Sequence, residues 1–218
     1  MKILITGGNG YIAKSLAQRL PQHEITTVTR KDFDLSNRID TDNWFTDKYF
    51  DVIIHTAIKG GSRLQQDSGD VFYQNLQMFY NLYYNKSHFK KFIHFGSGAE
   101  LGDPSDPYGL SKRIINDLIK NEHGFFNIRI FGVFDENELN TRFIKSNIKR
   151  YINKEPIIIH QDKFMDFFYM EDLVTIVEDY IIGNAHTSLS KTTECSYKEK
   201  YTLSDIAKSI SNPIIGIN

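Results

Sequence analysis

The stretch TGGNGYIA, residues 6–13, follows the apolar run KILIT and opens a segment of helical period. Three small residues at this spacing constrain the fold more than any other feature of the chain. Gly7 and Gly10 permit a tight strand-to-helix turn whose backbone comes close to a pyrophosphate at the helix N-terminus, and Ala13 takes the position where helix and strand pack together. The candidate cofactor contacts of the turn are Gly7, Gly10, Tyr11 and Ile12. A turn that binds nothing has no need of three small residues here.

Short β-like runs then alternate with longer helical ones. Strands are predicted at 2–6, 24–29, 51–57, 91–97 and 125–131, and helices through about Leu20, over 68–86 and over 108–121. The second helix carries Val71, Phe72, Asn75, Met78, Phe79 and Leu82 along one stripe. This order predicts an α/β protein, a Rossmann-type doubly wound parallel sheet with helices on both faces. After residue 132 the rhythm changes. GVFDENELN reads as a polar loop, 140–154 as a basic helix and PIIIH (156–160) as a short strand. DFFYMEDLVTIVEDYII reads as a strand feeding a helix, and Thr202 with Asp205 caps a further helix. The expected organisation is a dinucleotide-binding domain over 1–132 and a small substrate lobe over 133–218, interleaved with the core. The lobe is placed over the sheet's carboxyl edge, where open α/β sheets hold their ligands.

Composition excludes several classes of function. A net charge of −1 provides no basic field for nucleic acid. The apolar runs are too short to span a membrane, and the N-terminal stretch continues as strand and turn rather than as a signal peptide. One cysteine, Cys195, rules out an internal disulfide framework and fits a reducing cytoplasm. The seven histidines show no metal-ligand spacing, so no metal is expected.

The chemistry concentrates in SDPYGLSK, residues 105–112. Tyr108 and Lys112 stand four apart and share one face of a helix. An ammonium near a phenol lowers the phenol's pKa, and a phenol so tuned exchanges protons with a carbonyl or hydroxyl. At the end of the second strand, Thr29-Arg30-Lys31 offers cations where an acid would bind a ribose 2′-hydroxyl. That favours NADP(H) over NAD(H), with Arg30 as the candidate contact and Asp32 and Asp34 as rival acids.

These residues resemble the extended short-chain dehydrogenase/reductase family of nucleotide-sugar epimerases, dehydratases and ketoreductases. TGGNGYIA is similar to its glycine turn and DVIIHTA to its cofactor-lining strand. HFGSGAELG resembles its serine-bearing strand, YGLSK its tyrosine–lysine pair, and MDFFYMEDL and EKYTLSDIA its later segments. Within the family, IKGGSRL followed by FYQNLQMFYNL is most similar to GDP-L-fucose synthase-like reductases. The resemblance implies a catalytic Ser97, Tyr108 and Lys112, with Lys112 also holding the nicotinamide ribose. It adds Thr56, Ala57 and Asn75 at the cofactor, Asn75 and Ser97 at the substrate, and Arg129 and Arg142 as candidates for the substrate diphosphate, with Lys145 and Lys149 beside them. His55 and His94 are expected at core or cofactor-side strand positions rather than as catalysts.

Departures from the family pattern narrow the reaction. Gly98 and Ala99 stand where family dehydratases carry an Asp-Glu pair, and Ala99 where fucose synthases carry cysteine. Glu100, if on a strand, would face away. Ten residues separate Ser97 from Tyr108, which trims a loop over the substrate, and the second lobe is short. What the resemblance implies is an NAD(P)-dependent nucleotide-sugar oxidoreductase, a 4-ketoreductase or 4-epimerase, acting as a homodimer in the cytoplasm. The alternative is a catalytically silent dinucleotide-binding protein of the same fold used in regulation or complex formation.

Overall fold

The computed structural model describes residues 1–62, 66–183 and 189–211. The chain divides into two units, Met1–Ile130 with Val174–Glu194, and Phe131–Leu173 with Cys195–Asn218. The first boundary lies close to the expected residue 132, whereas 174–194 returns to the first unit.

In the first unit β1 (Lys2–Thr6), β2 (Glu24–Val28), β3 (Phe50–His55), β4 (Phe89–Ser97) and β5 (Phe125–Ile130) pair in parallel. Together with the last strand, β8 (Thr192–Cys195), they form one sheet in the order β2-β1-β3-β4-β5-β8. The chain runs outward in one direction from β1 to β2 and in the other from β1 to β3. The topological switch point, where open α/β sheets bind ligands, is therefore the crevice at the carboxyl ends of β1 and β3.

Both faces of the sheet are covered because consecutive residues of the central strands, which point to opposite faces, are apolar. Leu4, Ile53, Phe92 and Phe125 join a core with Phe79 and Leu82 of α3 (Gly69–Tyr84) and Ile115 and Ile119 of α4 (Pro107–Lys120). On the opposite side Ile3, Ile5, Ile54 and Ile93 are equally buried. From that side Lys91 reaches the carbonyls of Tyr180 and Ile181, the last turn of α6 (Met170–Ile182), at a contact and 2.9 Å. A lysine is well suited to carbonyls at a helix end. The expected stripe on α3 holds, with Val71, Asn75, Met78, Phe79 and Leu82 buried and Phe72 half-buried.

Among the described residues, one strand and one α-helix of this unit have no counterpart in the sequence reading. The strand is β8. The helix is α2 (Arg38–Phe45), capped by Asn37, whose side chain accepts the Ile39 and Asp40 amides at 2.9 and 3.2 Å. Trp44 stacks on Phe33 with ring centres 4.7 Å apart, which ties α2 to the loop before it.

The second unit contains a two-stranded parallel sheet, β6 (Val133–Phe134) with β7 (Phe168–Tyr169), and two helices, α5 (Phe143–Ile152) and α7 (Leu203–Ser211). β6 falls where a polar loop was expected. PIIIH is not a strand: the Asn147 side chain pairs with both the N–H and C=O of Ile158, at 2.9 and 3.1 Å, and so satisfies the backbone that a neighbouring strand would otherwise hold. Thr202 and Asp205 form the expected reciprocal cap of α7. A cavity of about 810 Å³ opens here among Phe134, Ile148, Tyr151, Phe167, Tyr197 and Tyr201.

Candidate active site

The glycine turn lies at the switch point. Gly7 has φ +73°, and a Cβ on it would stand 2.8 Å from the Ala57 backbone, so no other residue fits between the ends of β1 and β3. Thr56 and Ala57 line this crevice and are fixed from β1: the Thr56 hydroxyl donates to the Thr6 carbonyl at 2.7 Å, and the Ala57 amide to the Thr6 hydroxyl at 3.2 Å. Gly10 caps α1 (Tyr11–Arg19), which has no acid in its first turn, so its positive end is not neutralised from within. A Cβ on Gly8 would lie 3.0 Å from Thr27. Backbone stripped of side chains at a helix N-terminus fits a dinucleotide's pyrophosphate.

At the end of β2, Arg30 and Lys31 are exposed. The two rival acids are engaged locally. Asp32 accepts from the amide and hydroxyl of Thr29 at 2.8 and 3.0 Å, and Asp34 from those of Ser36 at 2.9 and 2.7 Å.

The second group of residues is built at the end of β4. The strand stops at Ser97 and enters a 3₁₀ turn, Gly98–Leu101, which the Ser97 side chain caps by accepting the Ala99 amide at 3.2 Å. Asp106 then caps α4 through the Gly109 amide at 2.8 Å, and Pro107 occupies the first turn, as its fixed φ favours. A Cβ on Gly109 would lie 2.5 Å from the Ala99 carbonyl, so turn and helix meet as closely as backbone allows. That contact brings the expected trio together: Ser97 ends β4 against the first turn of α4, which carries Tyr108, and the Lys112 ammonium lies 6.0 Å from the centre of the Tyr108 ring.

The electrostatics differ from the sequence expectation in one respect. Lys112 is 3% exposed. Its ammonium donates to the Phe95 carbonyl at 2.6 Å and lies 3.5 Å from His94 Nε2. Burial pushes Lys112 down to about 7, with Glu100 opposing. Tyr108 is raised, not lowered: burial raises it, a hydrogen bond from Ser97 works against this, and the Glu100, Asp67 and Asp106 carboxylates push the same way as burial. The phenol is therefore held protonated, as an acid rather than a base.

Other residues have jobs that the sequence did not disclose. Asn75 is buried and its amide is fully used, pairing with Lys59 N–H and C=O at 2.9 and 3.1 Å and with the Ser111 hydroxyl at 3.1 Å. It staples the loop after β3 to α4 rather than presenting itself to a ligand. On that loop Gly61, at φ +72°, covers Tyr108 so closely that a Cβ would lie 2.8 Å from the ring. The Arg63–Leu64 end of this loop lies outside the described residues. Arg129 is not a free diphosphate ligand: it is nearly buried and pairs with Glu100 at 2.8 Å and with Glu194. Arg142 is exposed at the start of α5 in the second unit. His55 and His94 occupy buried strand positions, as expected, in a row in register from Thr6 through His55 and His94 to Asn127. Burial holds both rings neutral, His55 at about 3. Among the described residues no group of His, Cys, Asp and Glu could hold a metal, and no helix is long and apolar enough to cross a membrane.

The family model for the NAD dependent epimerase/dehydratase family matches residues 3–180. No curated protein matches the sequence. Among solved structures, the chain is similar to GDP-mannoheptose C4 reductase from Campylobacter jejuni with NADP bound, at 17% identity and TM-score 0.81 over 97% of this chain and 83% of that one. It is also similar to the Bordetella bronchiseptica enzyme WbmG in complex with NAD and UDP, at 17% identity and TM-score 0.81 over 97% and 77%. A third similar structure is UDP-glucuronic acid 4-epimerase from Bacillus cereus, at 20% identity and TM-score 0.75 over 97% and 82%. At these identities the likeness is one of fold.

Proposed function

The chain belongs to the NAD dependent epimerase/dehydratase family, and from that premise we propose that it is an NAD(P)-dependent nucleotide-sugar oxidoreductase, a 4-ketoreductase or 4-epimerase. The observation that carries this reading is the convergence of Ser97, Tyr108 and Lys112 at the carboxyl end of the sheet. Bound nicotinamide supplies or accepts the hydride. Ser97 orients the sugar oxygen, and the protonated phenol of Tyr108 passes its proton to that oxygen as a carbonyl becomes a hydroxyl. Lys112 holds the nicotinamide ribose. Gly98 and Ala99 offer no acid or thiol for removing a carbon-bound proton, and both oxygens of Glu100 are already engaged. The chemistry that remains is exchange between ketone and alcohol. Aromatic rings line the second unit's own cavity and offer stacking for a nucleotide base, and Arg142 of that unit is assigned to a diphosphate. The partner is a second copy of the chain, paired through α3 and α4.

Arg30 and Lys31 are assigned to the 2′-phosphate of NADP(H), since the neighbouring carboxylates are taken up by Thr29 and Ser36. The pair is worth on the order of 1.5–3 kcal/mol, or roughly ten- to a hundredfold in affinity. Purified protein should oxidise NADPH when given a panel of 4-keto-6-deoxy nucleotide sugars. Replacing Arg30 and Lys31 together with alanine should remove the NADPH preference and leave NADH binding unchanged. Absence of turnover across the panel would overturn the enzyme reading. NADH binding as tightly as NADPH to the unaltered protein would overturn the cofactor assignment.

A further inference from the structure

Glu100 is among the most protected charges in the first unit, at 2% exposure. Its carboxylate does not hang free in the core. One oxygen accepts the Ser97 amide at 2.8 Å. The other accepts Arg129 Nε at 3.0 Å, an Arg129 terminal nitrogen at 2.8 Å and the Asn127 amide at 3.4 Å. Space for this fold-back exists because residue 96 is glycine: a Cβ there would lie 2.2 Å from a Glu100 oxygen and 2.5 Å from Asn127. From the other side, Arg113 of α4 donates to the Glu100 carbonyl at 2.7 Å. Arg129 is balanced in turn by Glu194 of β8.

We propose that Glu100 is a positioning residue of the Ser97–Tyr108–Lys112 site, fixing the backbone of Ser97 from behind and supplying the buried negative charge that faces Lys112 and Tyr108. This rests on the function proposed above, to which it adds a residue that touches neither substrate nor cofactor. A buried carboxylate is costly unless paired and hydrogen-bonded. Here it is both, and its placement serves the two neighbours. The negative charge favours the ammonium form of Lys112, which burial opposes, and the neutral form of Tyr108. The charged and titratable groups facing this cluster are Arg129 and Glu194 from β5 and β8, Arg113 and Asp106 from α4 and its cap, Asp67 from the loop after β3, and the neutral His55 and His94 from β3 and β4. Of these carboxylates, Glu100 is the one that acts on both Tyr108 and Lys112.

The test is Glu100→Gln, read by ¹⁵N-lysine NMR titration of the Lys112 ammonium as well as by turnover. The Lys112 midpoint should fall, and the alkaline limb of the pH–rate profile should move to lower pH with it, because less Lys112 stays charged and Tyr108 ionises sooner. Glu100→Asp, which keeps the charge and shortens the reach to Ser97, should lower turnover and leave both midpoints in place. Should Glu100→Gln fail to fold, the Glu100→Gln/Arg129→Gln pair leaves no lone buried charge and is read in the same way. An unmoved Lys112 midpoint in the folded Gln variant would overturn the proposal and leave Glu100 a purely structural cap. The NMR arm needs no substrate, so a protein that turns over no nucleotide sugar overturns the function above without deciding this point.

Discussion

Tyr108→Phe is expected to leave NADPH affinity nearly unchanged and to cut turnover by roughly 10²-fold or more, the usual range for loss of a positioned acid. The substitution removes one oxygen and keeps the ring. That ring is packed under Gly61, a fit that phenylalanine preserves. What is lost is the hydroxyl that gives its proton to the sugar oxygen in the proposed reaction. Because burial and three carboxylates hold the phenol protonated, the unaltered protein should keep its proton-donating form through neutral pH. Stopped-flow and steady-state measurements separate the two effects. Near-normal turnover in Tyr108→Phe would contradict the assignment of Tyr108 as the acid.

Lys112→Met should have the opposite effect on stability from its effect on activity. Turnover and cofactor affinity should both fall, since the ammonium assigned to the ribose is gone. Stability at pH 6 should rise. Lys112 is depressed from an ordinary 10.5 to about 7 by burial. Between those values the unfolded chain binds the extra proton, so stability increases with pH across that window. The cost of the buried charge is present in full below about pH 7 and has vanished above the unfolded value of 10.5. At 1.36 kcal/mol per pH unit, that net cost is on the order of 3–5 kcal/mol. Denaturant titrations of both proteins at pH 6 and pH 10 measure it. The variant should be the more stable at pH 6, with the advantage shrinking at pH 10. A Lys112→Met protein less stable than the unaltered one at pH 6 would contradict a charge held there at the expense of folding.

The sheet was legible in the sequence for a simple reason. Strands such as KILIT and DVIIHTA are buried on both faces and read as apolar runs, and the helix of Pro107–Lys120 announces itself with Asp106 and Pro107. The glycine turn was legible because Gly7 must adopt φ +73° against Ala57, a demand that one residue type meets. α2 carried its signal too, in Asn37 followed by Asp40, yet its weakly amphipathic turns do not stand out beside the longer helices. β8 and β6 are short strands defined by their partners, and no local pattern marks them. PIIIH has the composition of a strand, but pairing is a tertiary property, and here an asparagine side chain substitutes for a neighbour.

At the site, the pairing of Tyr108 with Lys112 on one helix was legible because the cap and helix that carry them are continuous in sequence. Roles set by distant partners were missed. Arg129 looked like a phosphate ligand until Glu100 and Glu194 were found against it. Asn75 looked like a site residue until its amide was found closed on Lys59 and Ser111. Glu100 was considered as a strand residue, whereas the strand ends three residues earlier, at Ser97, and the 3₁₀ turn folds its carboxylate back onto the Ser97 amide.

The central claim, exchange between ketone and alcohol with no carbon-bound proton removed by the protein, is tested most directly by following isotope into product. With deuterium on the transferable position of NADPH and a 4-keto-6-deoxy nucleotide sugar as substrate, label should appear at sugar C4. In heavy water with unlabelled NADPH, the product should gain no carbon-bound deuterium at C3 or C5 beyond a control without protein. Enzyme-dependent label at C3 or C5 would contradict the account, because it requires a base that Gly98, Ala99 and the fully engaged Glu100 do not provide.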